Sequence, residues 1–210
     1  MTNLETYLER FAKLRSDYKR SYWPTTTYYR APHKPLLLLA VMDSIAEGTV
    51  SANLIEVTPD LGELFSLYWS RVMPPDQQGN LALPFFHLRR DGFWHLLPQP
   101  GKEAIVAAIS QIRYVNQLRE LVIGAQLDEE LYQLLRDENS RERLRALVIE
   151  TYFAPELRPG LMVKGSSILK PTATAKVCSN KPRDKKTKND LRLSQRYVQR
   201  HVIKGSVGRL

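Results

Sequence analysis

A chain of 210 residues has room for one domain with a full hydrophobic core, so neither metal nor disulfide staples are needed to hold it together. The single Cys178 excludes an internal disulfide and a cysteine-rich zinc site; with no basic-plus-apolar leader, and with "LLLLAVM" far too short to span a bilayer, a cytoplasmic protein without a membrane anchor is expected. The formal charge of +9 belongs to the end of the chain, since residues 158–210 hold 14 Lys+Arg against 2 Asp+Glu, a net +12, and residues 1–157 carry −3.

In chain order, Leu4, Tyr7, Leu8, Phe11, Leu14 and Tyr18 recur at helical spacing, which predicts an amphipathic helix over Asn3 to Tyr18 with a Thr2/Glu5 capping box. The stretch "SYWPTTTYYRAPH" reads as a loop, because Pro24 and Pro32 discourage helix. Pro35 suits the first turn of a second helix, almost continuously apolar and therefore central, that runs to about Glu47 and closes at Gly48. A third helix starts with Thr58 as cap and Pro59 in the first position, and buries Leu61, Leu64, Phe65, Tyr68 and Val72. In "ALPFFHLRRDGFWHLLP" two aromatic runs flank an Asp-Gly, the signal of a β-hairpin. Irregular helix follows over 103–123, then two helices, Asp128 to Leu135 and Asn139 to Phe153, the latter with an Asn139/Glu142 cap and Leu144, Leu147, Val148 and Tyr152 inward.

These elements predict a mainly helical α+β domain over 1–157. Helices followed by a basic-tipped hairpin are the order of a winged helix-turn-helix, though many other α+β domains share it. Residues 158–210 form a basic tail that is too polar to offset its ordering entropy, so disorder is expected to about residue 190, with a brief basic helix beyond.

The chemistry-bearing motifs are mostly those that are missing. The chain has no HExxH, no Cys/His zinc spacing, no P-loop, no GxGxxG and no GxSxG, and Asp60 with Glu63 are sufficiently explained as acids at a helix start. Catalysis, a metal site and a cofactor are therefore not expected. With the 1–157 segment at −3, nucleic-acid binding has to rest on where basic residues cluster. Arg30, His33 and Lys34 sit where the helix dipole is already positive, which makes that helix start a candidate anion site. The plainer reading makes His33 a partly buried residue bonded to a carbonyl and Lys34 a solvated flank. In "LPFFHLRRDG" the aromatics supply core, while Arg89 and Arg90 are either solvated turn residues or contacts to phosphates or base edges.

The segments "APHKPLLLLAVMD" (31–43), "NLIEVTPDLGELFSLYW" (53–69) and "LALPFFHLRRDGFWHLLP" (81–98) resemble, in the right order, the DNA sulfur-binding domain of type IV, McrA-like restriction endonucleases. The resemblance covers roughly 1–157. It implies recognition of double-stranded, phosphorothioate-modified DNA, with His33, Lys34, Leu83, Pro84 and His87 around a small cavity for the sulfur. Leu83 stands where well-studied members carry Tyr, and His87 where a small residue can occur. Relatives continue into an HNH nuclease domain, whereas the basic tail here has no His-Asn-His pattern. The expected role is thus a recognition module of a restriction system, with double-stranded DNA and a nuclease subunit as the partners to look for. The rival readings are an HNH endonuclease whose catalytic domain is lost or supplied in trans, and a winged-helix regulator of unmodified DNA.

Overall fold

The second helix organises the domain because its sequence leaves it no solvent face. The computed structural model describes residues 3–165. Within them α2, His33–Ala46, is buried at every position from Lys34 to Ile45. A helix apolar all round is stable only when neighbours cover every side. Around it pack α3 (Pro59–Val72), α4 (Ala82–His87), α7 (Glu129–Arg136) and α8 (Glu138–Tyr152), while α1 (Asn3–Ala12) lies on α7 and α8. The short helices α5 (Glu103–Ala108), α6 (Val115–Leu121) and α9 (Arg158–Met162) complete the α-helices among the described residues, with 3₁₀ turns at Thr25–Thr27 and Leu88–Arg90.

The sheet is small. Strand β1, Trp94–Pro98, pairs antiparallel with β2, Val122–Leu127, from Trp94 opposite Leu127 to Pro98 opposite Val122, with an irregularity at Leu97/Pro98. Ile55 adds one bridge on the far side of β2, exchanging backbone hydrogen bonds of 2.8 and 2.9 Å with Ala125. The chains approach so closely there that a Cβ on Gly124 would meet the Ile55 carbonyl oxygen at 2.6 Å, which requires glycine.

The structure is thus mainly helical α+β, as the sequence predicts. Thr58 caps α3 by accepting from the Leu61 amide at 3.2 Å, and Gly48 takes the left-handed φ of 76° that ends α2. Other expectations are corrected. Helix α1 stops at Ala12, before Leu14 and Tyr18. No hairpin forms at Asp91-Gly92: Ala82–His87 is helix, Leu88–Arg90 a 3₁₀ turn, and β1 finds its partner beyond residues 99–121. The physical reason is burial without alternation, since Phe85, Phe86 and Leu88 are all fully buried. Pro84 also fits a first helical turn, where a missing N–H breaks no bond. The irregular helix expected over 103–123 is α5, a loop and α6, and it hands directly to β2, which had no expected counterpart. The cap of α8 is Asp137, accepting from the Ser140 amide at 2.8 Å, rather than Asn139.

The packed chain also runs past residue 157. Leu161 is fully buried, and the 158–165 segment is bound into the core by charge. Asp43 and Arg145, on α2 and α8, pair at 2.7 Å with side chains 1% and 2% exposed. Arg145 also donates to the Tyr68 hydroxyl and the Leu161 carbonyl, and the Gly165 amide donates to Asp43 at 2.7 Å. Every member of this cluster gains partners, as buried charge requires. The disorder expected from residue 158 is thus corrected for 158–165; the Thr2 cap, the remaining stretch to about residue 190 and the basic helix beyond it lie outside the described residues.

Candidate functional site

Prolines define the start of α2. Pro32 precedes the helix and Pro35 sits within its first turn, and neither has an N–H, so the amides of His33 and Lys34 are the donors that this end presents. The side chains of the two residues meet opposite environments. His33 lies between Trp23, with ring centres 5.5 Å apart and edge-on, and Trp69 at 4.6 Å. Burial pushes its pKa down to about 4, so it is neutral at physiological pH. Lys34 reaches Asp91 at 2.5 Å, with side chains 9% and 3% exposed. Burial lowers the Lys34 pKa, and the Asp91 bond acts in the opposite direction. The second Asp91 oxygen accepts from the Arg15 amide at 2.9 Å. The cluster of three cations expected at this helix start is therefore one neutral ring, one charge-compensated amine and Arg30. Arg30 is exposed, pairs through its backbone with Tyr18, and does not line the cleft described next.

Helix α4 provides the facing wall. Leu83 and Pro84 lie one turn before His87, and the three join His33, Lys34 and Arg90 around a cleft of about 560 Å³. Pro84 is buried, while Leu83 and His87 are half-buried. The His87 pKa is lowered, chiefly by burial and then by the charge of Arg90. The cleft thus collects five of the residues that the sequence singles out by resemblance, plus Arg90. Arg89 it leaves out. The Arg89 guanidinium stacks over Phe86 at 3.8 Å and donates to the carbonyls of Val106 and Ile109 at 2.7 and 2.9 Å.

Sequence reasoning missed Arg15, Trp23 and Gln111, which also line this cleft. No local signal marks them, because three separate loops bring them together. Arg15 and Arg90 are exposed at the rim, and among the described residues neither side chain has a hydrogen-bond or ion-pair partner. Asp17, also on the rim, accepts from the Trp23 indole at 3.2 Å and is 3.9 Å from Lys19. The balance is a mouth with uncompensated cations over a floor of Trp23, Ala31, Leu83 and Pro84. Such a recess attracts an anion but offers little hydration to the part that enters.

A broader groove of about 850 Å³ lies between α3 and α6 and contains none of the residues expected at the site. Among the described residues no group of three or more His, Cys, Asp and Glu is arranged to hold a metal ion.

Comparison with known proteins places these features. No curated protein matches the chain. Among solved structures, the sulfur-binding domain of SprMcrA complexed with phosphorothioated DNA is similar in fold, with a TM-score of 0.50 and 19% identity over 76% of this chain and 94% of that one. The sulfur-binding and SRA domains of ScoMcrA, also complexed with phosphorothioated DNA, give 0.46 and 17% over 74% of this chain and 50% of that one. The profile of the ScoMcrA-like DNA sulfur-binding domain matches residues 5–164, which takes in every element described above from α2 to α9. By that match the chain belongs to the ScoMcrA-like DNA sulfur-binding domain family.

Proposed function

We propose that the cleft between α2 and α4 receives a phosphorothioate of double-stranded DNA, and that the chain is the recognition module of a modification-dependent restriction system. The observation that carries this reading is the division of labour in the cleft: free cations at the rim, and inside it a neutral His33, a compensated Lys34 and apolar walls. A phosphorothioate keeps the backbone charge but replaces one non-bridging oxygen with a larger, weakly hydrated sulfur. Such an anion suits a charged mouth over an apolar floor. Ordinary phosphate suits it less, because an oxygen set against Leu83 and Pro84 loses water and gains no donor on that wall.

Magnitudes decide which of these effects matters more. Burying roughly 30 to 40 Å² of sulfur at about 25 cal/mol/Å² yields only ~1 kcal/mol. Leaving a phosphate oxygen without a donor costs about 1 to 3 kcal/mol. The sum, ~2 to 4 kcal/mol, corresponds to roughly thirty- to thousand-fold preference, most of it from rejection. In this reading Leu83, Pro84 and the methylenes of Lys34 form the wall, His33 and His87 close it, and Arg15 and Arg90 hold the flanking phosphates. Arg30 extends the basic surface outside the cleft. The Arg90 corner takes the part of a winged-helix wing, and any cleavage is supplied by a nuclease subunit.

The test is a binding titration of the full chain on one duplex with and without a single phosphorothioate of defined stereochemistry. The proposal expects at least thirty-fold tighter binding to one stereoisomer. Equal affinity for modified and unmodified duplexes overturns it.

A further inference from the structure

The stretch "YKRSYWPTTTYYRA", residues 18–31, holds four tyrosines, a tryptophan, Lys19, Arg20 and Arg30, and no Asp or Glu, within a 1–157 segment whose net charge is −3. The fold makes it a closed loop. Tyr18 and Arg30 bridge across its neck, where the Lys19 amide donates to the Tyr29 carbonyl at 3.0 Å and the Ala31 amide to the Asp17 carbonyl at 2.8 Å. Trp23 and Thr27 are buried and root the loop in the core, and the Ala154 amide donates to the Thr26 carbonyl at 2.9 Å. None of the four tyrosines lines the cleft between α2 and α4, and neither does Arg20.

The rings are fixed yet open. Tyr18 and Tyr22 are 52% and 57% exposed. Tyr18 meets Tyr29 edge to face with ring centres 6.4 Å apart, and Tyr22 stands edge-on to Trp23 at 4.5 Å. The Arg20 guanidinium donates from Nε to the Tyr18 hydroxyl at 2.9 Å and lies over the Tyr29 ring at 5.5 Å. Tyr28 and Tyr29 take left-handed φ values of 52° and 59°, a conformation that the chain otherwise gives to glycine among the described residues. A bulky side chain is costly there, and turn bonds from the two amides to the Thr25 and Pro24 carbonyls hold it. Neither ring is buried, so core packing does not account for them. Open aromatic faces among uncompensated cations fit a ligand with a negative backbone and free ring faces of its own. Duplex bases are covered by their stacked neighbours, whereas the bases of a single strand are free to stack on protein.

We infer that the 18–31 loop is a second nucleic-acid surface, a stacking platform for the unpaired bases of single-stranded DNA. Tyr18 and Tyr22 take the bases without regard to their identity, and Lys19, Arg20 and Arg30 face the phosphates. The inference does not rest on the cleft reading, since it asks nothing of His33, Lys34 or α4.

The experiment is a titration of the full chain with two labelled, unmodified strands of equal length, one with ordinary bases and one abasic throughout, over a range of salt. The abasic strand keeps every phosphate, so it registers the loop cations and the basic tail alone. The native chain is expected to bind the intact strand roughly five- to hundred-fold tighter than the abasic one. Tyr18→Ala with Tyr22→Ala loses that margin and keeps the salt slope, because no phosphate contact is removed. Tyr18→Phe with Tyr22→Phe keeps the rings and the margin. Arg20→Leu lowers the slope of log K against log salt by about 0.7 on both strands. Both tyrosine side chains are exposed, so folding is expected to survive, with an unchanged Tm as the check. Equal binding of the two strands by the native chain overturns the inference without any variant, and so does a margin that survives the double alanine substitution. The preference for phosphorothioate duplex is expected to be the same in the native chain and the tyrosine variants, so the loop and the cleft readings fail separately.

Discussion

Asp91→Asn tests the electrostatic logic of the cleft most directly. The Asp91 carboxylate touches two donors, the Lys34 ammonium at 2.5 Å and the Arg15 amide at 2.9 Å. An asparagine keeps one acceptor and must turn its NH₂ toward one of those donors. Breaking a buried pair by removing one partner costs about 3 to 5 kcal/mol. For a domain of this size that lowers Tm by about 6 to 20 °C, readable by calorimetry. The functional effect is separate. Lys34 then has no compensating charge and can serve the oxygen of an ordinary phosphate, which removes the rejection term of about 1 to 3 kcal/mol. The preference for modified duplex is expected to fall about five- to hundred-fold, mainly through tighter binding of unmodified DNA. The control is Lys34→Met with Asp91→Leu, which replaces the pair by apolar groups, often close to neutral for stability. It is expected to regain Tm by calorimetry and to retain selectivity in an anisotropy titration of the two duplexes. If it loses selectivity as fully as Asp91→Asn does, Lys34 reads the ligand through its charge and the reasoning fails.

Arg90→Ala is expected to weaken modified and unmodified duplexes alike and to reduce the slope of log K against log salt by about 0.9, measured by anisotropy between low and moderate salt. An unchanged slope removes Arg90 from the interface. Acidification tests His33: its pKa of about 4 lies below the unfolded value of 6.5, so the unfolded chain protonates first as pH falls. Stability from this group is complete above pH 6.5 and is lost between there and pH 4, by up to ~3 kcal/mol. Urea titrations of the native chain and of His33→Gln should differ in pH slope across that window, and parallel slopes count against a buried neutral ring. Arg145→Met leaves the Asp43 carboxylate, 1% exposed, without its cation, and a loss of about 3 to 5 kcal/mol in urea midpoint analysis is expected, with DNA selectivity intact because neither residue lines the cleft.

What the sequence reveals here depends on whether a signal is local. Helices α2 and α3 are legible because Pro35, Gly48, Thr58 and Pro59 act on their own turns, and the apolar content of α2 dictates its central place. Strand β2 is not, because Val122–Leu127 is extended only through its partners β1 and Ile55. The hairpin reading gave Asp91-Gly92 the meaning it has between alternating strands, but "PFFHL" lacks alternation. The domain end at 157 followed composition, and composition does not register that Gly165 and Leu161 are held through backbone atoms by Asp43 and Arg145. Helix-start residues His33 and Lys34 are visible from their neighbours, whereas their neutralisation by two tryptophans and an aspartate is tertiary.

The bracketing of the α2 start by Pro32 and Pro35, with the imidazole of His33 wedged between two indoles, fixes the aperture before any strand reaches it. On the proposed reading a rigid aperture lets modified and unmodified duplexes arrive at similar rates, governed by the cations outside, and sorts them by dwell time. A searching protein of this design tests many backbone positions briefly and lingers at few.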